Sequence, residues 1–589
     1  MNISFLSEIK PTVIKKLNNH TQTKTKDLGN DVFVKSSAAD KTAQSFDINS
    51  AVEELGRQKT FSGKPKFNEE KLKTLTDILK KNPEKWNAVK ALANQPKMVS
   101  AFVLDFAAKD TKTLNVIKDL SLMKIGNNQK FSPFEIKNLS GELDCDGLKI
   151  VGKLADTPLE SDDIISIAKD KNIKDINKLK NKVIKFAESV KDKRRVTFKK
   201  DDYDENAYNI RADMPNNGSK ILLLDKNLNE TALETVTVQK ISFDKILQIK
   251  NSIDYRNNTV SKITAEINPK MPLHSIVTDE TRVVKDRNGK LIRKEIYQLS
   301  DVSGAPNIKY IYPDGSEKNI STASFDKKTG ITSVFKNMTS LDGTHTEYSF
   351  EDDLSGNMIS DYKITDKNGN ILFNHSMTFE VVSENKFIST ENGKYYEITL
   401  ENDKIKVKNM QNDDVTAISF DKMSGNREKL LTSLKRMPAE ELIELGKNTD
   451  ELVGIDNMFQ STYMAKTRTI NSGENLFTIL HEAGHAKDYA NVDVKQKETL
   501  INSIYSNPVI NKVFEEEKAA FNKAFPLSQR DHISYFIKNS EHKDGLQEAV
   551  AETNALINTR NTENLFSVRS HYLQQYFPKT IALLAVVID

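Results

Sequence analysis

Two histidines and a glutamate lie close together near the C-terminal end of the sequence. His481, Glu482 and His485 form the pattern H-E-x-x-H within the segment LFTILHEAGHAKDYA. Positions i and i+4 share one face of an α-helix, so both imidazoles can bind a single tetrahedral Zn²⁺ ion. The glutamate between them can accept a proton from water at the metal and return it to a leaving amine. The pattern therefore predicts one catalytic zinc ion.

Helical context and the scarcity of histidine strengthen this interpretation. The chain has 9 histidines among 589 residues, and the chance expectation for the pattern is on the order of 0.01. Leu476, Ile479 and Leu480 give the segment the apolar character of a buried helix, which Ser472 or Gly473 can start. The alternative is a pair of histidines that merely sit on a buried helix.

A catalytic zinc site needs a third protein ligand. The histidine class H-E-x-x-H-x-x-G-x-x-H is excluded, because Asp488 and Asn491 stand where its glycine and histidine would be. The short spacing of thermolysin-like and aminopeptidase families is excluded too, since Ile504 and Tyr505 occupy the positions of their ligand glutamate. The third ligand must therefore come from farther along the chain.

A second predicted helix supplies carboxylates. The segment GLQEAVAETNAL, residues 545–556, places Glu548 and Glu552 on one helix face. We assign Glu548 as the third ligand and Glu552 as an acceptor that orients a ligand imidazole, because metal-bound histidines usually donate their other N–H to such a group. The alternative is a solvated pair of acids on a helix face.

Together, HEAGHAKDYA and EAVAE resemble the zinc peptidase domain of anthrax toxin lethal factor and its relatives, including the clostridial Pro-Pro endopeptidases. The resemblance covers residues 425–589 and implies a zincin-like α+β peptidase domain of the gluzincin type. It also implies these roles: zinc ligation by His481, His485 and Glu548, general base and acid catalysis by Glu482, and support of the ligands by Glu552.

The sequence departs from the family at the residue that stabilises the oxyanion. Family members carry a tyrosine seven residues before the ligand glutamate, where this chain has Glu541. Tyr535 and His542 are the candidates for that role, with Tyr535 preferred; the alternative is that either is a loop residue. The separation of the two motifs is also longer than the family shows, which indicates an insertion.

The segment MFQSTYMAKTRTI, residues 458–470, precedes the first motif and alternates enough to predict a strand. The resemblance implies that this strand lies at a sheet edge and pairs with extended substrate backbone.

The length of the chain predicts several domains around this site. We expect a flexible leader over 1–45, a helical module over 46–200, a β-rich region over 201–424 and the zinc peptidase domain over 425–589. The predicted fold class is therefore multidomain α+β. In the β-rich region, glycines at 330, 343, 356 and 369 recur every 13 residues between alternating segments, which predicts an antiparallel meander.

Charge and composition exclude some partners. With 86 Lys plus Arg against 83 Asp plus Glu, the net charge of +3 gives no electrostatic signal for nucleic acid. The basic run over 191–200 indicates a solvated linker rather than an anion-binding patch. Cys145 is the single cysteine, so no intramolecular disulfide is expected. The longest apolar run, Ile581–Ile588, is too short for a transmembrane helix.

The sequence thus favours a zinc-dependent endopeptidase that acts on a protein or peptide substrate. The family resemblance suggests a secreted, toxin-like or effector-like protease. Because the N-terminus lacks a secretory signal, export would use a signal-less route, with cytoplasmic residence as the alternative. The alternative function is a modular protein-binding protein whose peptidase-like domain is inactive. Nothing in the sequence indicates an oligomeric state.

Overall fold

The computed structural model describes residues 47–60, 62–125, 128–269, 277–299, 306–456, 461–473, 475–490, 503–525, 530–537, 545–559 and 568–588. The predicted leader, residues 1–45, lies outside this part of the chain. Helices and a large antiparallel sheet confirm the mixed α+β class. The chain divides into two compact units, one ending at Lys118 and the other beginning at Asp119.

Short helices build the first unit. They are α1 (Ile48–Gly56), α2 (Glu69–Lys81), α3 (Trp86–Ala93), α4 (Ser100–Ala107) and the first part of α5 (Thr111–Leu122). Asn68 caps α2 by accepting a hydrogen bond from the main-chain N–H of Lys71 at 3.0 Å. These helices bury apolar side chains on their inner faces, as Leu75, Val89 and Phe106 show.

The second unit starts with the rest of α5, a short hairpin and four helices. These elements are β1 (Lys124–Ile125), β2 (Asn128–Gln129), α6 (Pro133–Glu142), α7 (Cys145–Leu154), α8 (Ser161–Lys169) and α9 (Ile176–Glu188). A capping box starts α6, because Ser132 and Glu135 each bond the other's main-chain N–H. The boundary between the units therefore falls inside the predicted helical module.

Eighteen described strands then form one antiparallel sheet in which each strand pairs with the next along the chain. They are β3 (Arg195–Lys200), β4 (Ala207–Asp213), β5 (Ser219–Asp225), β6 (Glu230–Lys240), β7 (Ile246–Asp254), β8 (Thr259–Ile267), β9 (Val277–Asp286), β10 (Leu291–Leu299), β11 (Pro306–Ile311), β12 (Glu317–Asp326), β13 (Ile331–Thr339), β14 (His345–Asp352), β15 (Met358–Thr365), β16 (Ile371–Ser383), β17 (Lys386–Glu391), β18 (Lys394–Leu400), β19 (Lys404–Asn409) and β20 (Val415–Ser419). The predicted meander is confirmed. The basic run over 191–200 was predicted to be a solvated linker. That prediction was wrong for the end of the run, which forms strand β3.

The hairpin turns explain the repeated glycines. Gly356 and Gly369 have φ of 85° and 87°, values that favour glycine. In the first of these turns the Asp353 carboxylate accepts hydrogen bonds from the main-chain N–H groups of Ser355 and Asn357, at 2.8 and 2.9 Å. This aspartate-capped turn joins neighbouring strands without leaving turn donors unsatisfied.

The C-terminal part of the second unit combines a small sheet with helices. Its elements are β21 (Met423–Gly425), α10 (Arg427–Leu434), α11 (Ala439–Asn448), β22 (Glu451–Gly454), β23 (Thr462–Met464), β24 (Thr469–Ser472), α12 (Leu476–Asp488), α13 (Pro508–Ala524), α14 (Ser534–Ile537), α15 (Gly545–Asn558), α16 (Val568–Tyr576) and α17 (Pro578–Ile588). The sheet order is β21-β22-β24-β23, so β23 is an edge strand. The segment predicted as one strand is instead the hairpin β23–β24, which turns at Arg468 with φ of 49°.

One hydrophobic core joins the large sheet to the C-terminal elements. Tyr362 and Ile398 of the sheet belong to the same buried cluster as Leu480 and Phe577. The apolar run at the C-terminus is helix α17, and none of the described helices has the length and apolarity that a membrane crossing requires. The two regions predicted as separate domains therefore bury their apolar surfaces against each other.

This shared core predicts that residues 425–589 do not fold alone. A fragment of that range would expose the apolar surface that the sheet covers, so we expect it to aggregate or to lack cooperative thermal unfolding. Near-ultraviolet circular dichroism and a thermal melt provide the measurement. A chain of residues 119–589, which retains the whole second unit, is the control and should unfold cooperatively. A cooperative melt of the short fragment near the control's Tm would contradict the prediction.

Candidate metal centre

Helix α12 carries the H-E-x-x-H motif. Its N-cap is Asn475, whose side chain accepts a hydrogen bond from the main-chain N–H of Thr478 at 3.2 Å. The predicted start at Ser472 or Gly473 was therefore wrong. His481 and His485 lie one turn apart on this helix, with side chains 10% and 12% exposed. The two imidazoles are therefore largely shielded from solvent. Their Nε2 atoms face one shared position.

Helix α15 packs against α12 at very short range. A Cβ atom at Gly484 would lie 2.7 Å from Cα of Ala551 and 2.9 Å from Cβ of Asn554, closer than real Cβ contacts. Only glycine permits this approach, so close helix packing explains why the third residue between the two histidines is a glycine. The close contact brings the Glu548 carboxylate beside the two imidazoles.

The three predicted ligands converge on one point. Nε2 of His481 lies 3.2 Å and Nε2 of His485 lies 3.5 Å from the same oxygen, Oε2 of Glu548. One ligand atom from each residue lies within 4.8 Å of the others. In a tetrahedral zinc site with bonds of about 2.0 to 2.2 Å, ligand atoms lie about 3.4 Å apart. The donor set and its spacing therefore fit zinc.

Glu482 lies beside this point and is only 8% exposed. Burial raises its pKa, although His481 and His485 oppose the shift. The main-chain N–H of Tyr463, in edge strand β23, donates a hydrogen bond to the Glu482 carboxylate. A buried carboxylate with a raised pKa is suited to hold a proton in transit.

Glu552 is fully buried behind His481. Its Oε2 lies 3.3 Å from Nδ1 of His481 and accepts from Nη2 of Arg569 at 2.8 Å, while its Oε1 accepts from the hydroxyl of Ser570. Burial raises the pKa of Glu552, but Arg569 and His481 outweigh this effect and lower it to about 2. The carboxylate therefore stays ionised, and it lies where the predicted acceptor role requires it, beside Nδ1 of His481.

Tyr535 reaches the same centre. Its ring is 46% exposed, and its hydroxyl donates to Oε2 of Glu548, the oxygen that both imidazoles face. Burial of the hydroxyl and the adjoining Glu548 and Glu552 carboxylates raise its pKa, so it remains a donor. The other candidate, His542, and Glu541 lie outside the described residues.

A polar network that was not predicted from the sequence holds the two helices together. Asn554 donates from its amide to the main-chain oxygen of Leu480 at 2.8 Å and to Glu441 at 3.0 Å. Lys487 pairs with the same Glu441, and Asn558 also donates to it at 3.0 Å. Asn554 and Asn558 are four residues apart in the second motif helix, a spacing that could have indicated a polar partner on that face.

Comparisons with family models, with curated protein sequences and with solved structures find no match to this chain. The functional assignment therefore depends on the residues and their geometry. Two imidazoles and one carboxylate are a ligand set that catalytic zinc takes in hydrolases.

The contact at Gly484 gives a prediction about substitution. In Gly484→Ala the added Cβ would force α12 and α15 apart, so we expect destabilisation of about 1 to 3 kcal/mol and weaker zinc binding. Thermal melts and zinc titrations measure both effects. The matched control is Gly141→Ala in helix α6, where an added Cβ meets nothing within 4 Å and should be neutral or slightly stabilising. Equal behaviour of the two variants would refute this explanation.

The imidazole environment gives a prediction about pH. Burial lowers the pKa of His481, but Glu548 and Glu552 overcome this and raise it from 6.5 to about 9. The folded state binds this proton more tightly than the unfolded state, so the stabilisation is complete below pH 6.5 and is lost as the pH rises through 9. We expect the Tm of chelator-treated protein to fall over that interval. His481→Gln should show a smaller fall, and an unchanged profile in that variant would contradict the assignment.

Proposed function

We propose that the protein is a zinc-dependent endopeptidase whose catalytic site lies between helices α12 and α15. The observation that carries the proposal is the convergence of His481, His485 and Glu548 on one point, with Glu482 on the same helix. Two histidines and one glutamate as ligands, with a further carboxylate beside a ligand imidazole, are typical of zinc hydrolases. The resemblance of the two motifs to the lethal factor family supports the same conclusion.

Each residue has a distinct task in the proposed reaction. His481, His485 and Glu548 would hold the metal, which when bound supplies the Lewis acidity that activates water and polarises the scissile carbonyl. Glu482 accepts the proton of the attacking water and then delivers it to the departing amine. Burial raises the pKa of Glu482, which is the direction that favours uptake of the water proton.

Two further features fit peptide hydrolysis. The Tyr535 hydroxyl lies at the Glu548 oxygen that both imidazoles face, where a donor would stabilise the oxyanion of the tetrahedral intermediate. Edge strand β23 lies beside Glu482, and none of the described strands pairs with its outer edge, where an extended peptide can add as a further strand. We therefore propose a protein or peptide substrate that lies along β23, with the peptidase acting as a secreted toxin-like or effector-like enzyme.

The decisive test is the substitution Glu482→Gln. This change removes the proton acceptor and keeps the shape, so we expect kcat for casein cleavage to fall by about 10² to 10⁴ while bound zinc stays near one ion per chain. Cleavage is followed by release of labelled peptides, and zinc by elemental analysis of the same sample. Glu428→Gln, an exposed acid at the start of helix α10, is the control and should be fully active.

Two outcomes would reject the proposal. Full activity in Glu482→Gln would exclude this mechanism. Absence of zinc from wild-type protein, together with absence of cleavage, would instead favour the alternative of a protein-binding module with an inactive peptidase-like domain.

A further inference from the structure

Arg569 contacts two separate parts of the candidate site. Its Nη2 donates to Oε2 of Glu552 at 2.8 Å, and its guanidinium carbon lies 4.3 Å from the ring centroid of Tyr535. A third contact places it 5.5 Å from the ring of Phe536. Neither sequence motif includes this arginine, which lies in helix α16.

The first contact, between Arg569 and Glu552, acts on the orientation of the His481 imidazole. Glu552 has no exposed surface, and an ionised carboxylate at such a position requires a cation to compensate for lost hydration. Its other neighbours are Nδ1 of His481 at 3.3 Å and the hydroxyl of Ser570. Arg569 therefore holds the Glu552 carboxylate in place, and Glu552 in turn fixes the orientation of His481.

The second contact controls the tyrosine hydroxyl. The guanidinium of Arg569 lies over the ring of Tyr535, a residue that is 46% exposed and whose ring also contacts Phe536. Stacking limits rotation of the ring while the hydroxyl reaches Glu548. One side chain thus restrains both a ligand histidine and the candidate oxyanion donor.

Helix α16 is itself fixed by the large sheet. Gln574 accepts from Nζ of Lys336 in β13 at 2.8 Å, and its main-chain oxygen accepts from Thr346 in β14 at 3.4 Å. Gln575 donates to the hydroxyl of Tyr310 in β11 at 3.2 Å. These contacts from three strands set the position of α16 and hence that of Arg569.

We propose that Arg569 is a positioning residue that couples the orientation of His481 to that of Tyr535, with α16 transmitting the support of the sheet. The inference depends on the proposed function, since it concerns the same site. It assigns a role in catalysis to a residue that touches neither metal nor substrate.

The experiment compares Arg569→Met and Arg569→Lys in the full chain. Arg569→Met removes both contacts, so we expect zinc affinity, measured by competition with a chelator, to fall about 10-fold to 100-fold and kcat to fall with little change in KM. Arg569→Lys keeps a cation for Glu552 but not the planar stack on Tyr535. It should recover most of the zinc affinity and little of the kcat.

Arg427→Met provides the matched control, because Arg427 stacks on Phe420 at 4.1 Å and has no place in the site. Its zinc affinity and kcat should equal those of the wild type. A purely structural role for Arg569 predicts a lower Tm with unchanged zinc affinity in both variants, and that result would overturn the inference. Wild-type protein that neither binds zinc nor cleaves casein would overturn the proposed function as well, so the two failures are distinguishable.

Discussion

The contact between helices α12 and α15 at Gly484 is the constraint on which the site depends. It sets the separation of the helices, because Cα of Ala551 leaves no room for a side chain there. That separation in turn decides whether Glu548 can reach the point between His481 and His485. A shift of about 1 Å is enough to disturb zinc geometry, since ligand bonds vary by only about 0.2 Å.

Separation alone does not fix how the helices are rotated, and the buried polar network supplies that restraint. Glu441 from helix α11 receives Lys487 of α12 and both Asn554 and Asn558 of α15. Buried charges cost hydration free energy, and the cost is offset only when partners and geometry are complete. Rotation of either helix would break several of these bonds at once, so the network defines a single arrangement.

Much of the candidate site and of the large sheet was predictable from the sequence, because the patterns that predict them are local. The histidine pair, the carboxylate pair and the glycine-marked hairpins each depend on a period of one helix or one turn. Arg569 and Ser570 were not predictable, since their contacts with Glu552 depend on how a later helix crosses α15. The hairpin at Arg468 was missed for a related reason. A left-handed turn at arginine has no signal of the kind that glycine or asparagine gives.

The large sheet also supports the candidate site through contacts between residues that are distant in the sequence. Helix α16 approaches the candidate site with Arg569 on one side, while farther along the helix His571 and Gln574 are nearly or fully buried. Burial lowers the pKa of His571 to about 3, so the imidazole stays neutral at this position. The sheet supplies a hydrogen-bond donor, Lys336, to the side-chain oxygen of Gln574 and an acceptor, Tyr310, to the side-chain amide of Gln575. The strands before residue 425 are therefore part of the scaffold that supports helix α16 and, through it, the candidate site.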